Sequence, residues 1–240
     1  MADDSSFDYS GIPPGFYDNV YRSGSAVRRF WHRYKFESVA ALVPPDARTL
    51  LDIACGPGSM MSVLRRGELH RFGTDLAREQ VHYARNQYGD ESTTFCVSRL
   101  PELPFEDSSL DAVSLVEVIE HLPRTVVDES LREVRRVLRP GGAVILTTPN
   151  YVSIWPLLEV IVNLTGGVSY EEQHISKFTL RSARRLLDDS GFKVDEVSSF
   201  FTAAPFVAHA SWKMGRAAHR FERRWARWTG ALLLARAFKE

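Results

Sequence analysis

Two stretches carry residues whose type and spacing could do chemistry. The first is Asp52-Ile53-Ala54-Cys55-Gly56-Pro57-Gly58, in which two glycines follow an apolar run at once. A strand that ends in glycines and opens a helix lets the backbone approach a nucleotide-like ligand and offers it free N–H groups. Asp75 ends the next apolar run. A carboxylate there either accepts hydrogen bonds from two ribose hydroxyls or caps the helix that follows. The second stretch is Glu117-Val118-Ile119-Glu120-His121. If Glu117 opens a helical turn, Glu117, Glu120 and His121 share one face at i, i+3 and i+4. Two carboxylates and an imidazole in one place can move protons or hold a divalent ion.

These residues need elements to position them. Apolar runs predict strands at 49–54, 70–74, 93–97, 112–116, 143–148, 193–199 and 231–238. Helical spacing predicts helices at 25–43, 77–88, 125–138, 154–164, 179–190 and 203–228. Such alternation is the pattern of an α/β sheet whose ligands bind at the carboxyl ends of the strands. Helix 25–43 sets Phe30, Trp31 and Tyr34 on one face and Arg28, Arg29, Arg33 and Lys35 on the other. Thr125 with Asp128 reads as a capping box. Residues 1–15 read as a flexible lead-in. The apolar segment 154–164 with Gly166-Gly167 reads as a hinged lid or substrate wall, or as a buried packing helix. Helix 203–228 carries an apolar stripe of Met214, Ala218, Phe221, Trp225 and Trp228. Beside it runs a basic stripe of Lys213, Arg216, Arg220, Arg223 and Arg227.

A dinucleotide fingerprint wants a third glycine where this chain has Met61. The glycine turn and Asp75 instead resemble class I S-adenosylmethionine-dependent methyltransferases, and the Arg139-Pro140-Gly141-Gly142 turn strengthens the match. The resemblance runs from Leu50 to the end of the chain. It implies a Rossmann-like seven-stranded sheet with the last strand antiparallel, in a single domain over 1–240. An N-terminal helical cap covers 1–46, and an inserted helix spans 203–229. It implies cofactor contacts from Asp52, Ala54, Cys55, Gly56 and Gly58, and from Asp75 with Leu76. Glu117 orients the cofactor. Many relatives bind adenine with an acid after the third strand; here Ser98 or the backbone at Leu100 takes that place. The run Glu117 to His121 resembles ubiquinone-type O-methyltransferases. It also resembles small-RNA 2′-O-methyltransferases, which use it with a later histidine to bind a metal. By that match Glu117, Glu120, His121 and His174 are candidate ligands of a divalent metal.

The function expected is transfer of a methyl group to a small-molecule or lipid-like acceptor, at oxygen, with His121 and His174 as candidate bases. The alternatives are metal-assisted RNA methylation and a non-catalytic cofactor-binding module. The 240 residues carry zero formal net charge, which points to neither nucleic acid nor membrane. Residues 205–240, however, hold eight Lys or Arg against two Asp or Glu. The stripe of the inserted helix therefore packs on the fold, forms a homodimer, or lies on an anionic membrane surface. Nucleic acid as a partner lacks a recognition motif. Two cysteines without metal spacing, and no secretory or membrane-spanning stretch, read as a cytoplasmic protein with free thiols, at most peripheral at the inner membrane face.

Overall fold

The computed structural model describes residues 12–64, 66–165, 174–225 and 227–240, with side chains in the helix at 155–165 described as far as Val160. The strands are β1 (Thr49–Ile53), β2 (His70–Asp75), β3 (Thr93–Val97), β4 (Leu110–Val116), β5 (Leu138–Pro149), β6 (Phe192–Phe200) and β7 (Leu232–Lys239). They form one seven-stranded sheet in the order β3-β2-β1-β4-β5-β7-β6. Pairs from β3 to β5 are parallel, and β7 is antiparallel to both β5 and β6. β6 therefore runs the same way as β5. The carboxyl ends of β1, β2, β4, β5 and β6 share one rim.

The helices are α1 (Phe16–Ser23), α2 (Ala26–Ala40), α3 (Arg78–Tyr88), α4 (Arg124–Val137), α5 (Trp155–Thr165), α6 (Leu180–Asp189), α7 (Ala204–Ala210) and α8 (Trp212–Trp225). β1 and β4 are buried on both faces, which is why they read as mainly apolar runs, broken by the paired Asp52 and Ser114. Successive residues feed opposite cores. Leu51 and Val113 join Leu131, Val134 and Leu186 below α4 and α6, whereas Leu50 and Ala112 join Phe30, Val39 and Val81 below α2 and α3.

The sheet and its antiparallel last strand are as the sequence implies. Several details differ. Residues 16–23 form a helix that the sequence reading left unassigned. Its Asp18 is fully buried and accepts hydrogen bonds from Ser59 Oγ at 2.7 Å, from Tyr83 Oη at 2.8 Å and from the Tyr88 hydroxyl. α1 is thereby latched to the residue after Gly58. Lys35 belongs to no solvated face; it is buried and paired with Glu117. α4 starts at Arg124 with Pro123 as its N-cap and no side-chain cap; Thr125 lies inside the helix, and Asp128 pairs with Arg124 at 3.0 Å, so the expected capping box does not form. The Arg-Pro-Gly-Gly run lies inside β5. Residues 1–11 of the expected lead-in and the Gly166-Gly167 hinge lie outside the described residues.

The inserted helix is two helices, because Ser211 is extended (φ −154°, ψ 119°). Glu222 of α8 explains the fold-back. Its carboxylate accepts from the backbone N–H groups of Thr202, Ala203 and Ala204 at 3.1, 2.6 and 2.9 Å, satisfying the start of α7. Gly215 lies on the same inner face, where a Cβ would stand 2.6 Å from the Ala208 Cβ and 2.9 Å from the Phe30 ring. With Gly215, His219 and Glu222 turned inward, Ala218 of the expected apolar stripe packs on the core, partly buried, and the larger members do not. Met214, Phe221, Trp225 and Trp228 are 60–65% exposed.

Candidate active site

The site is built on the rim where β1, β2 and β4 end. Gly56 (φ +53°) and Gly58 (φ +79°) are both left-handed. A Cβ on Gly58 would also lie 2.9 Å from the Phe95 ring, so only glycine fits there. A Cβ on Gly56 would meet nothing within 4 Å. That side of the turn is open, as a ligand cradle requires. The Gly56 N–H donates to Asp75 Oδ2 at 2.8 Å, and the Ala77 N–H donates to Oδ1 at 2.8 Å. Asp75 thus joins the glycine turn to the start of α3, although Ala77 rather than Asp75 is the N-cap. Each carboxylate oxygen keeps a lone pair for hydroxyl groups. Burial pushes the Asp75 pKa up and the backbone N–H groups pull it down.

β1 and β4 both end in a left-handed residue that is not glycine, Ala54 (φ 54°) and Glu117 (φ 55°). Such backbone costs about 1 kcal/mol or more and gathers at functional sites. Asp52 lies beneath the turn, buried, and accepts from the Ser114 hydroxyl at 2.8 Å. Burial pushes its pKa up to about 7. Cys55 is half-buried beside the turn, and burial raises its thiol pKa. At the β2–β3 end, Leu76 and Val97 present exposed apolar side chains. The Ser98 N–H donates to the Asp75 carbonyl at 3.1 Å, and its hydroxyl donates to the Glu102 carbonyl at 2.8 Å. Leu100 follows in the same loop, partly buried.

A second group of polar side chains gathers where β4 and β5 end. A 3-10 turn at Ile119–His121 follows β4. The strap carrying His174 is pinned across it. Ser176 N–H donates to the Glu120 carbonyl at 2.9 Å, and Ser176 Oγ donates to the Leu122 carbonyl at 2.7 Å. This pinning sets the His121 and His174 rings 5.1 Å apart. Candidate ligand atoms of Glu120, His121 and His174 all lie within 4.8 Å of one another. Glu117 is not in that group, because it turns toward Lys35.

His174 is buried and well supported. Its Nδ1 lies 2.5 Å from Glu159 Oε1 and 2.8 Å from the Tyr151 hydroxyl, which itself donates to Glu159 at 2.9 Å. Burial lowers the His174 pKa, and Glu159 acts against that shift. Glu120 is fully buried, and neither carboxylate oxygen has a hydrogen-bond partner among the described residues. Burial first, and then the Glu117 charge, push its pKa up to about 8.

The structure therefore brings together two sets that the sequence reading named, Gly56 with Asp75 and Glu120 with His121 and His174. Four supporting residues were missed. Asp18 and Lys35 come from helices far away in sequence. Tyr151 and Glu159 left a signal: Glu159 is the one charged residue in a mainly apolar helix, and Tyr151 follows the rim end of β5 closely.

Comparison with known proteins bears on this arrangement. Residues 51–146 match the family model described as a methyltransferase domain. A protein of Mycolicibacterium smegmatis described as a probable S-adenosylmethionine-dependent methyltransferase is 28% identical over 75% of this chain and 66% of its own length. A fatty-acid O-methyltransferase of the same organism is 33% identical over 47% of this chain and 41% of its own length. The chain spans about half to two thirds of the length of the first curated relatives it matches. Among solved structures, a geranyl diphosphate methyltransferase in complex with geranyl diphosphate and sinefungin superposes with a TM-score of 0.65. It is 18% identical, over 94% of this chain and 84% of that one.

Proposed function

For a chain that belongs to the class I S-adenosylmethionine-dependent methyltransferases, we propose methyl transfer to an oxygen of a small-molecule or lipid-like acceptor, with His174 as the base. The bond between the Gly56 N–H and the Asp75 carboxylate carries the cofactor half of this reading. Asp75 holds the ribose hydroxyls, and the open side of Gly56 leaves room for the methionine end. Leu76 and Val97 offer an apolar face to the adenine. S-adenosylmethionine supplies a methyl group already activated on a sulfonium. What remains for the chain is to align an acceptor and take its proton.

His174 suits that task. Its Nδ1–H donates to Glu159, which fixes the tautomer and makes Nε2 the nitrogen that takes the proton. Glu159 then balances the imidazolium that forms. Burial keeps the ring neutral at pH 7, so it is a base before the reaction and not a cation facing a cation. His121 stands beside it as a second acceptor or a positioning group. The names of the similar proteins, a fatty-acid O-methyltransferase and a geranyl diphosphate methyltransferase, support an apolar acceptor.

The test is labelled-methyl incorporation into lipid and small-molecule extracts. His174→Gln is expected to lower kcat about 100-fold or more and to leave cofactor affinity unchanged. An unchanged kcat sinks the base assignment.

A second reading has one observation behind it, the convergence of Glu120, His121 and His174 with Glu159 behind the imidazole. Two imidazoles and a carboxylate, with a second carboxylate holding one imidazole from behind, are a donor set that fits a divalent metal. Metal analysis of the purified protein, with and without Glu120→Gln, separates the two. Stoichiometric metal lost in the variant favours the second reading; no metal in either favours the first.

A further inference from the structure

We propose that the outer face of α8, with Trp228 beyond it, docks the protein on an anionic lipid bilayer. The face has two adjoining ridges. Met214, Phe221 and Trp225 form the apolar one, at i, i+7 and i+11. Lys213, Arg220 and Arg224 form the cationic one at the same spacing, one residue earlier. All six are exposed. Arg216 and Arg227 add exposed charge, and Arg227 lies over the Trp228 ring at 5.3 Å. None of these cations has an ion-pair partner among the described residues.

Charge decides the occupant. Glu222 is the one acid from 205 to 229, and it is turned inward to cap α7. The outer face therefore carries cations and apolar groups with no negative charge. A bilayer with anionic headgroups meets both demands, since tryptophan seats at the headgroup level and arginine pairs with phosphate. A second copy would instead bring its own five cations against these. Position agrees. α7 and α8 leave the sheet at the rim where β6 ends. Trp31 touches Phe201 at 4.6 Å and Trp155 of α5 at 5.9 Å. α5 exposes Leu157 and Val160 at that same end. Docking by α8 would bring the mouth of the site to the lipid.

The test is co-sedimentation of the full chain with vesicles of phosphatidylcholine, with or without one third phosphatidylglycerol. No cofactor is added, so the result does not depend on methyl transfer. The protein is expected to sediment with the anionic vesicles and to stay in solution with the neutral ones or in high salt. Lys213→Glu with Arg220→Glu and Arg224→Glu should weaken partitioning about 100-fold. Phe221→Ser with Trp225→Ser and Trp228→Ser should release the protein while every charge remains. Circular dichroism checks that both variants fold. The proposal is overturned if the unmodified protein stays in the supernatant with anionic vesicles, or if both folded variants still sediment. It is equally overturned by a doubled mass in light scattering that the Ser variant halves, or by binding to a single-stranded RNA probe but not to vesicles.

Discussion

Asp52 gives the most quantitative consequence of the fold. Its carboxyl is buried between β1 and β4, with Ser114 as its one side-chain hydrogen-bond donor among the described residues, and its pKa stands at about 7 against an ordinary 3.8. A carboxyl whose folded pKa is raised favours folding when protonated. That advantage is whole at acid pH and is lost as pH rises from about 4 to about 7. The protein at pH 8 therefore pays for keeping a charge beneath the glycine turn. Linkage over these two pKa values puts the cost at about 1.7 kcal/mol at pH 5 and about 4 kcal/mol at pH 8. Asp52→Asn keeps the shape and the Ser114 hydrogen bond but cannot ionise. The stability difference between variant and parent should therefore widen by about 2.5 kcal/mol from pH 5 to pH 8, in the variant's favour. For a chain of this length that is a shift of roughly 5–10 °C in the Tm difference. Urea unfolding followed by circular dichroism at several pH values reads it directly. The other titrating groups, such as His219, whose burial depresses its pKa, cancel in the difference. A gap that stays flat with pH would refute the claim that burial raises the Asp52 pKa.

Other consequences follow from the supporting residues. Lys35→Met strands the Glu117 carboxylate and should cost about 3 kcal/mol, less than a fully buried pair because Glu117 keeps 22% exposure; adding Glu117→Gln should return most of it in the same unfolding assay. Glu222→Ala removes the acceptor of three backbone N–H groups and should cost about 2–3 kcal/mol, with proteolysis appearing first between 202 and 211. Burial depresses the His174 pKa, so methyl transfer should hold its rate at pH values below the ordinary histidine range and fall only as the ring gains a proton. Glu159→Gln should lower kcat without changing cofactor affinity, measured by pre-steady-state transfer.

Much of the frame was legible in the sequence because local chemistry dictated it. Buried parallel strands such as β1 and β4 must be largely apolar, and the turn after β1 needs glycine at Gly58 because Phe95 fills the space. The Gly56–Asp75 pairing was legible for the same reason, since it joins the ends of adjacent strands. What depended on distant partners was not. Lys35 lies amid arginines that do face water, and only Glu117, distant in sequence, turns it inward. The stripe on α8 has the spacing of a core face, yet Glu222 decides the orientation by capping another helix. A single polar requirement of three N–H groups outweighs an apolar pattern whose burial the sequence alone suggested. The break at Ser211 was hidden because no proline or glycine marks it.

The central claim is that the Gly56 turn and the Asp75 carboxylate form a cradle for S-adenosylmethionine. Isothermal calorimetry of the full chain with S-adenosylmethionine and its demethylated product tests it most directly. Saturable binding of one equivalent, weakened at least tenfold by Asp75→Ala, is the expected result; no heat at saturating ligand, or an affinity indifferent to Asp75, would contradict it.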